Sequence, residues 1–180
     1  EPESVDNVAE RVRSVGSNFT AEELQELLQQ RNSSSLSESL NKVKQLGATR
    51  DALELLESVW AGNQSQYPHL AWQSIADPGV RLDIADILLQ AAKNGDIARE
   101  PADVHEFVRN TLESDSPRLV GQAAITLSTF DRDEDVPALE QIALQRDSRT
   151  FPSMVIALAR MCTPAAESAL TRIETVASAP

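Results

Sequence analysis

Apolar residues recur along this chain at the spacing of an α-helix, and nearly every stripe is bracketed by residues that start or stop helices. Val5, Val8, Val12 and Val15 form the first stripe, with Gly16 placed to end it. Thr20 and Glu23 make a capping box ahead of Leu24, Leu27 and Leu28. After the polar break Asn32 to Ser35, a stripe of Leu36, Leu40, Val43 and Leu46 closes at Gly47. Thr49 can cap Leu53, Leu56 and Trp60, which close at Gly62, and a shorter element is expected from Tyr67 to Ala76. Asp77-Pro78 reads as N-cap and first helical residue, since proline has no N–H to lose there; Val80, Ile84, Ile87, Leu88 and Ala91 follow, ended by Gly95. Pro101 opens a stripe of Val104, Phe107, Val108 and Leu112, and Ser116-Pro117 another of Leu119, Ala123, Ala124 and Leu127. Asp135 precedes Leu139, Ile142 and Ala143; a helix is expected from about Arg149 to Cys162; Thr163-Pro164 opens Ala166, Leu170, Ile173 and Val176. This predicts about eleven helices and no sheet, because β-branched runs of period two are missing.

The chain has 180 residues, 41% apolar and 24% charged, which is too apolar for a disordered segment and enough for a sizeable core. Aromatics are only 4%, so Leu, Ile, Val and Ala must fill that core. Asp and Glu number 28 against 16 Lys and Arg, a formal net charge of −12. Nucleic acid and anionic membrane surfaces both need Lys and Arg, so both are disfavoured as partners. A basic protein would be attracted, although the same charge also serves solubility alone. No apolar run reaches the roughly 20 residues of a membrane span. The chain begins at Glu1 and not at Met, the start expected of a processed or trimmed product. The compartment stays open between cytoplasm and periplasm, and the sequons at Asn18, Asn32 and Asn63 matter only in a glycosylating pathway. One cysteine, Cys162, excludes an intrachain disulfide; in the run from Met154 it reads as a buried, inert thiol.

Self-similarity narrows the all-α class further. Asp77-Pro78-Gly79-Val80-Arg81, Asp115-Ser116-Pro117-Arg118-Leu119 and Asp147-Ser148-Arg149 each lie in a turn between two helices, thirty to forty residues apart. Steps of four, five and eight from Val80 reach Ile84, Ala85 and Leu88; from Leu119 they reach Ala123, Ala124 and Leu127. The pattern resembles the HEAT repeat, in which an Asp-bearing turn leads into a second helix with an apolar start and often Arg. The resemblance covers about Asp77 to Cys162, with Thr150, Phe151 and Pro152 departing from it in the third copy. It implies a right-handed superhelix of stacked antiparallel helix pairs, an α-solenoid of HEAT or armadillo type. One all-α domain is expected over 1–180, less regular over 1–76 and HEAT-like over 77–180. The implied function is protein binding on a concave face lined by the second helices, where Arg81, Asp83, Arg118, Gln122 and Thr126 are the polar positions.

Chemistry has few candidates. HEAT-like deoxyhypusine hydroxylases build a di-iron site from several His-Glu pairs; here His105-Glu106 stands alone, and His69 is followed by Leu70. His105 is therefore read as a surface histidine. Asp131, Asp133 and Asp135 give D-x-D-x-D, but an EF-hand calcium loop would need Gly and Glu where Val136 and Ile142 stand. A solvated acidic turn that caps the next helix accounts for them. With two histidines and no Gly-rich phosphate loop or G-x-S-x-G, no catalytic set assembles, and no metal or cofactor is implied. Trp60, Tyr67 and Trp72 cluster in an aromatic-poor chain, either as core packing or as binding anchors. The expectation is an interaction module whose partner is another protein, a basic one where charge selects it: an adaptor, a scaffold or an acidic immunity-type inhibitor. A HEAT-like scaffold enzyme or lyase, or a fragment of a larger solenoid, are the alternatives. Asp131, Asp133, Asp135, Trp60 and Trp72 join the helix residues as candidate contacts.

Overall fold

A computed structural model describes residues 18–145 and 147–177. Ten α-helices account for it: α1 (Ala21–Leu27), α2 (Ser33–Leu46), α3 (Arg50–Trp60), α4 (Trp72–Ile75), α5 (Pro78–Asn94), α6 (Val104–Thr111), α7 (Pro117–Phe130), α8 (Val136–Leu144), α9 (Phe151–Met161) and α10 (Pro164–Ala177). A 3-10 turn, Asp133–Asp135, leads into α8. Among the described residues there is no strand, only an isolated parallel bridge between Phe19 and Ala48. The all-α class is as expected. The stripe Val5 to Val15, which would supply an eleventh helix, lies outside the described residues.

Local signals set most helix starts. Thr20 accepts the Glu23 amide while the Glu23 carboxylate accepts from the Thr20 amide, the reciprocal box that two early donors of α1 require. Thr49 accepts from the Ala52 amide at α3, and Asp77 from the Gly79 and Val80 amides at α5. Two expectations fail locally. The element expected over Tyr67 to Ala76 shrinks to the four residues of α4, after a run of turns. The helix expected from Pro101 starts at Val104, because Asp103 takes a left-handed conformation (φ 65°) that no right-handed helix can include.

The chain divides into two compact units, 1–101 and 102–180. In the first, α1 packs on α3, α2 on α4 and α5, and α5 on α3 and α4. Helix α5 is thus part of the first unit. Leu24, Leu28, Leu36, Leu40, Leu56 and Leu88 are fully buried there. Leu82, Asp83, Ile84, Ala85 and Ile87 are buried too, so α5 hides nearly every face. In the second unit each helix packs on its neighbour in sequence or on the helix two further along: α6 with α7, α7 with α9, α8 with α9 and α10, α9 with α10. Its core is rich in alanine. Ala123, Ala124, Ala143, Ala157, Ala166 and Ala169 have no exposed surface, as small residues between closely approaching helices should. A β-carbon on Gly121 of α7 would lie 2.8 Å from the Ser153 hydroxyl of α9, so that crossing needs glycine as Ser153 now stands.

Candidate binding surfaces

The expected contact residues scatter between core and surface. Asp83 is 2% exposed and forms an ion pair with Lys44 of α2 (3.1 Å), which also reaches Asp86 at 3.2 Å; the Ser37 hydroxyl donates to Asp83 as well. Asp83 thus joins α2 to α5. Thr126 is buried, because the α7 face expected to be polar packs inward. Trp60 is 5% exposed, and the Arg81 guanidinium lies 4.1 Å from its ring centroid, a stacked cation that covers what the core leaves open. Both residues are thereby engaged within the first unit. Trp72 is half-buried, and its indole N–H donates to the Tyr67 carbonyl at 2.8 Å. Of the remaining second-helix positions, Arg118 is exposed and Gln122 half-buried.

The acidic turn is not a single solvated set. Asp131 is exposed in a left-handed conformation at the end of α7, and Asp133 is exposed in the 3-10 turn. Asp135 is fully buried and makes no cap to α8. Its Oδ2 lies 2.8 Å from His105 Nε2, so His105 is not the surface histidine expected. The imidazole meets the Phe130 ring edge-on, with centroids 4.7 Å apart. The other Asp135 oxygen, Oδ1, has no hydrogen-bond donor, and its nearest cation is Arg109 Nη1 at 3.9 Å. His105 and Arg109 stand one turn apart on α6 and so face this carboxylate together. No group of side chains among the described residues is placed to hold a metal ion. Cys162 is exposed, again against expectation: it ends α9 in a left-handed conformation (φ 51°), which turns it off the apolar stripe.

The three Asp-bearing turns differ. Only Asp77 caps its helix. At Asp115 the Ser116 amide donates instead to the Ser114 hydroxyl. Asp147 accepts from the Arg149 amide and holds that guanidinium through both of its own oxygens (2.7–3.2 Å). The guanidinium, with the amide assisting, holds the Asp147 carboxyl down to about 2. On the neighbouring helices, Arg172 of α10 makes two parallel bonds to Glu140 of α8 (2.6 and 2.7 Å), and this bonding lowers the Glu140 carboxyl below its ordinary range.

The turns at Asp115 and Asp147 border a concavity of the second unit. A cleft of about 500 Å³ opens between the α6–α7 turn and the end of α8 with the turn that follows it. Its apolar lining comes from Leu112, Pro117, Val120, Ala138 and Ile142. Charged groups at it are Arg109, Glu113, Asp115, Asp147 and Arg149. The volume lies in the range of small-ligand and side-chain pockets. None of the residues expected from sequence lines it. The expected residues lie on the second-helix faces, in the acidic turn Asp131–Asp135 and beside the Gly62 break, whereas this cleft is built from the α6–α7 turn and the end of α8 with the turn after it.

Compared with known proteins, the chain matches no family model, no curated protein and no solved structure. No helix among the described residues is long and apolar enough to cross a membrane.

Proposed function

We propose that this chain is a protein-interaction module, a HEAT-like helical scaffold whose acidic surface receives a basic region of another protein. One observation carries the reading. Acidic residues outnumber basic ones by 28 to 16, and the cations seen in ion pairs are already committed to the chain's own carboxylates. Lys44 lies on Asp83 and Asp86, Arg50 on Glu54, Arg132 on Glu134, Arg149 on Asp147 and Arg172 on Glu140. Each such pair cancels one negative charge and one positive charge, so the surplus is left to the surface as carboxylates. The stepwise packing of α6 to α10 supports the scaffold part, since it is the neighbour-to-neighbour contact that stacked helix pairs make.

The test is capture on the immobilised chain from an extract of its source cells, at low and at high salt. Retained proteins should be basic at the region that binds, and they should be released as salt screens the encounter, with a Debye length near ~8 Å at physiological strength. Retention of acidic proteins, or capture indifferent to salt, would refute the reading.

A further inference from the structure

We propose that the cleft of the second unit takes the cationic side chain of an arginine or lysine from an extended basic segment, held by Glu113 and Asp115 over an apolar floor. This rests on the protein-binding reading above and assigns it a site.

Charge accounting within the cleft selects the occupant. Of its five charged residues, Arg149 is bound to both oxygens of Asp147 at 2.7–3.2 Å, so this pair presents little net charge. Arg109 stands 3.9 Å from the donor-less oxygen of Asp135, a carboxylate with no exposed surface. Arg109 is itself 47% exposed and leaves one positive charge against the two carboxylates of Glu113 and Asp115. Both are exposed, lie within the α6–α7 turn, and have no side-chain partner among the described residues. The cleft is therefore net negative along one rim.

The floor selects the same occupant. Pro117, Ala138 and Ile142 give partly exposed apolar surface in the same cleft, with Leu112 and Val120 nearly buried behind it. Long basic side chains carry an apolar stem below a charged head and bury the one while the other stays polar. An anionic ligand would meet Glu113 and Asp115. A wholly apolar ligand would strip water from them without replacing it, which is costly. A cleft of about 500 Å³ has room for such a side chain and part of its backbone.

The probe is N-acetyl-arginine methylamide, with the lysine analogue as a second cation and the citrulline analogue as a neutral near-isostere. Each is titrated at millimolar concentration into the full chain and followed by backbone amide shifts. Saturable shifts confined to residues 109–120 and 138–150 are expected for arginine and lysine, and at least tenfold weaker binding for citrulline. Glu113→Gln with Asp115→Asn should weaken the arginine probe at least tenfold and leave the thermal midpoint unchanged, since both side chains are exposed. Glu22→Gln with Asp51→Asn in the first unit should change nothing. Equal binding of citrulline, shifts spread over the acidic surface, or an unaffected double variant would overturn the assignment. Capture of basic proteins separates the two failures. If the double variant still captures them while the probe finds no cleft, the module stands and this site falls. If the wild-type chain captures none, the module reading falls with it.

Discussion

Replacing Lys44 with methionine isolates the cost of a buried charge in the first unit. The side chain keeps much of its length and its apolar stem, so packing between α2 and α5 changes little while the cation disappears. Asp83, 2% exposed, then loses its 3.1 Å cation, and Asp86, about a fifth exposed, loses the charge at 3.2 Å that separates it from Asp83. At an effective dielectric constant of 20, unit charges 4 Å apart attract by about 4 kcal/mol before desolvation is subtracted. Breaking a fully buried pair costs about 3–5 kcal/mol. Lys44 keeps roughly a quarter of its surface in water, and Asp83 retains the Ser37 hydroxyl. The expected loss is therefore at the lower end, about 2–3 kcal/mol. For a unit of this size that lowers the midpoint by roughly 10–20 °C. The assay is tryptophan fluorescence during urea or thermal unfolding, because both tryptophans, Trp60 and Trp72, belong to the first unit. Lys44→Met with Asp83→Asn should recover at least half of the loss, since no unpaired charge stays buried. A single variant within about 0.5 kcal/mol of the parent would refute the argument, as would a double variant that loses the sum of the two single changes.

Asp77→Ala removes the cap of α5 and should cost about 1 kcal/mol, whereas Asp115→Ala, where the serine hydroxyl takes the amide, should cost less than about 0.5 kcal/mol; equal losses in denaturant titrations would contradict the capping assignment. Glu140 and Asp147 have carboxyls depressed by their arginines, so what they contribute is complete above their ordinary values of 4.5 and 3.8 and is lost as pH falls through the folded-state values, about 2 for Asp147. The thermal midpoint should thus fall from about pH 4.5 downward, and Glu140→Gln should flatten the upper part of that decline; a parallel curve would exclude the pair as its source. Gly121→Ala should destabilise on its own through the 2.8 Å approach to Ser153, but combined with Ser153→Ala it should gain up to about 1 kcal/mol from helix propensity. A destabilised double variant would mean that the β-carbon at position 153, 3.3 Å from the added carbon, and not the hydroxyl, sets that limit.

Capping residues were legible in sequence because a cap acts over three or four positions; Thr20, Thr49 and Asp77 all act as their spacing says. The class followed from the same stripes. What the sequence hid lies across longer separations. Asp83 sits among polar positions of α5 and reads as surface, yet its partner Lys44 is on another helix. The apolar residues Leu82 and Leu89, off the main stripe, were the available sign that α5 is buried nearly all round. His105 and Asp135 are likewise brought together only by the fold. Cys162 was legible in principle, since Thr163-Pro164 marks a helix boundary and places the residue before it in the cap. The cleft was not legible because Leu112, Glu113 and Asp115 read as the ordinary end of a helix and its turn; nothing local announces the facing side, Ala138 to Gln145 with Asp147, Arg149 and Thr150.

The neighbour-to-neighbour packing of α6 through α10 has a kinetic meaning. Among the described residues, the main helix packings of the second unit join segments next to each other in sequence or one helix apart, so its contact order is low. No long loop must close before a contact stabilises the chain, and the entropy lost at each docking step is that of a short connection. Assembly can start at any hairpin and spread to either side, as in a zipper. Removing α10 would uncover the sides of α8 and α9 that it touches and delete the bond from Arg172 to Glu140, while leaving α7 against α6 and α9. Damage in this unit is therefore expected to stay local, with stability falling by increments along the stack and not in one collapse.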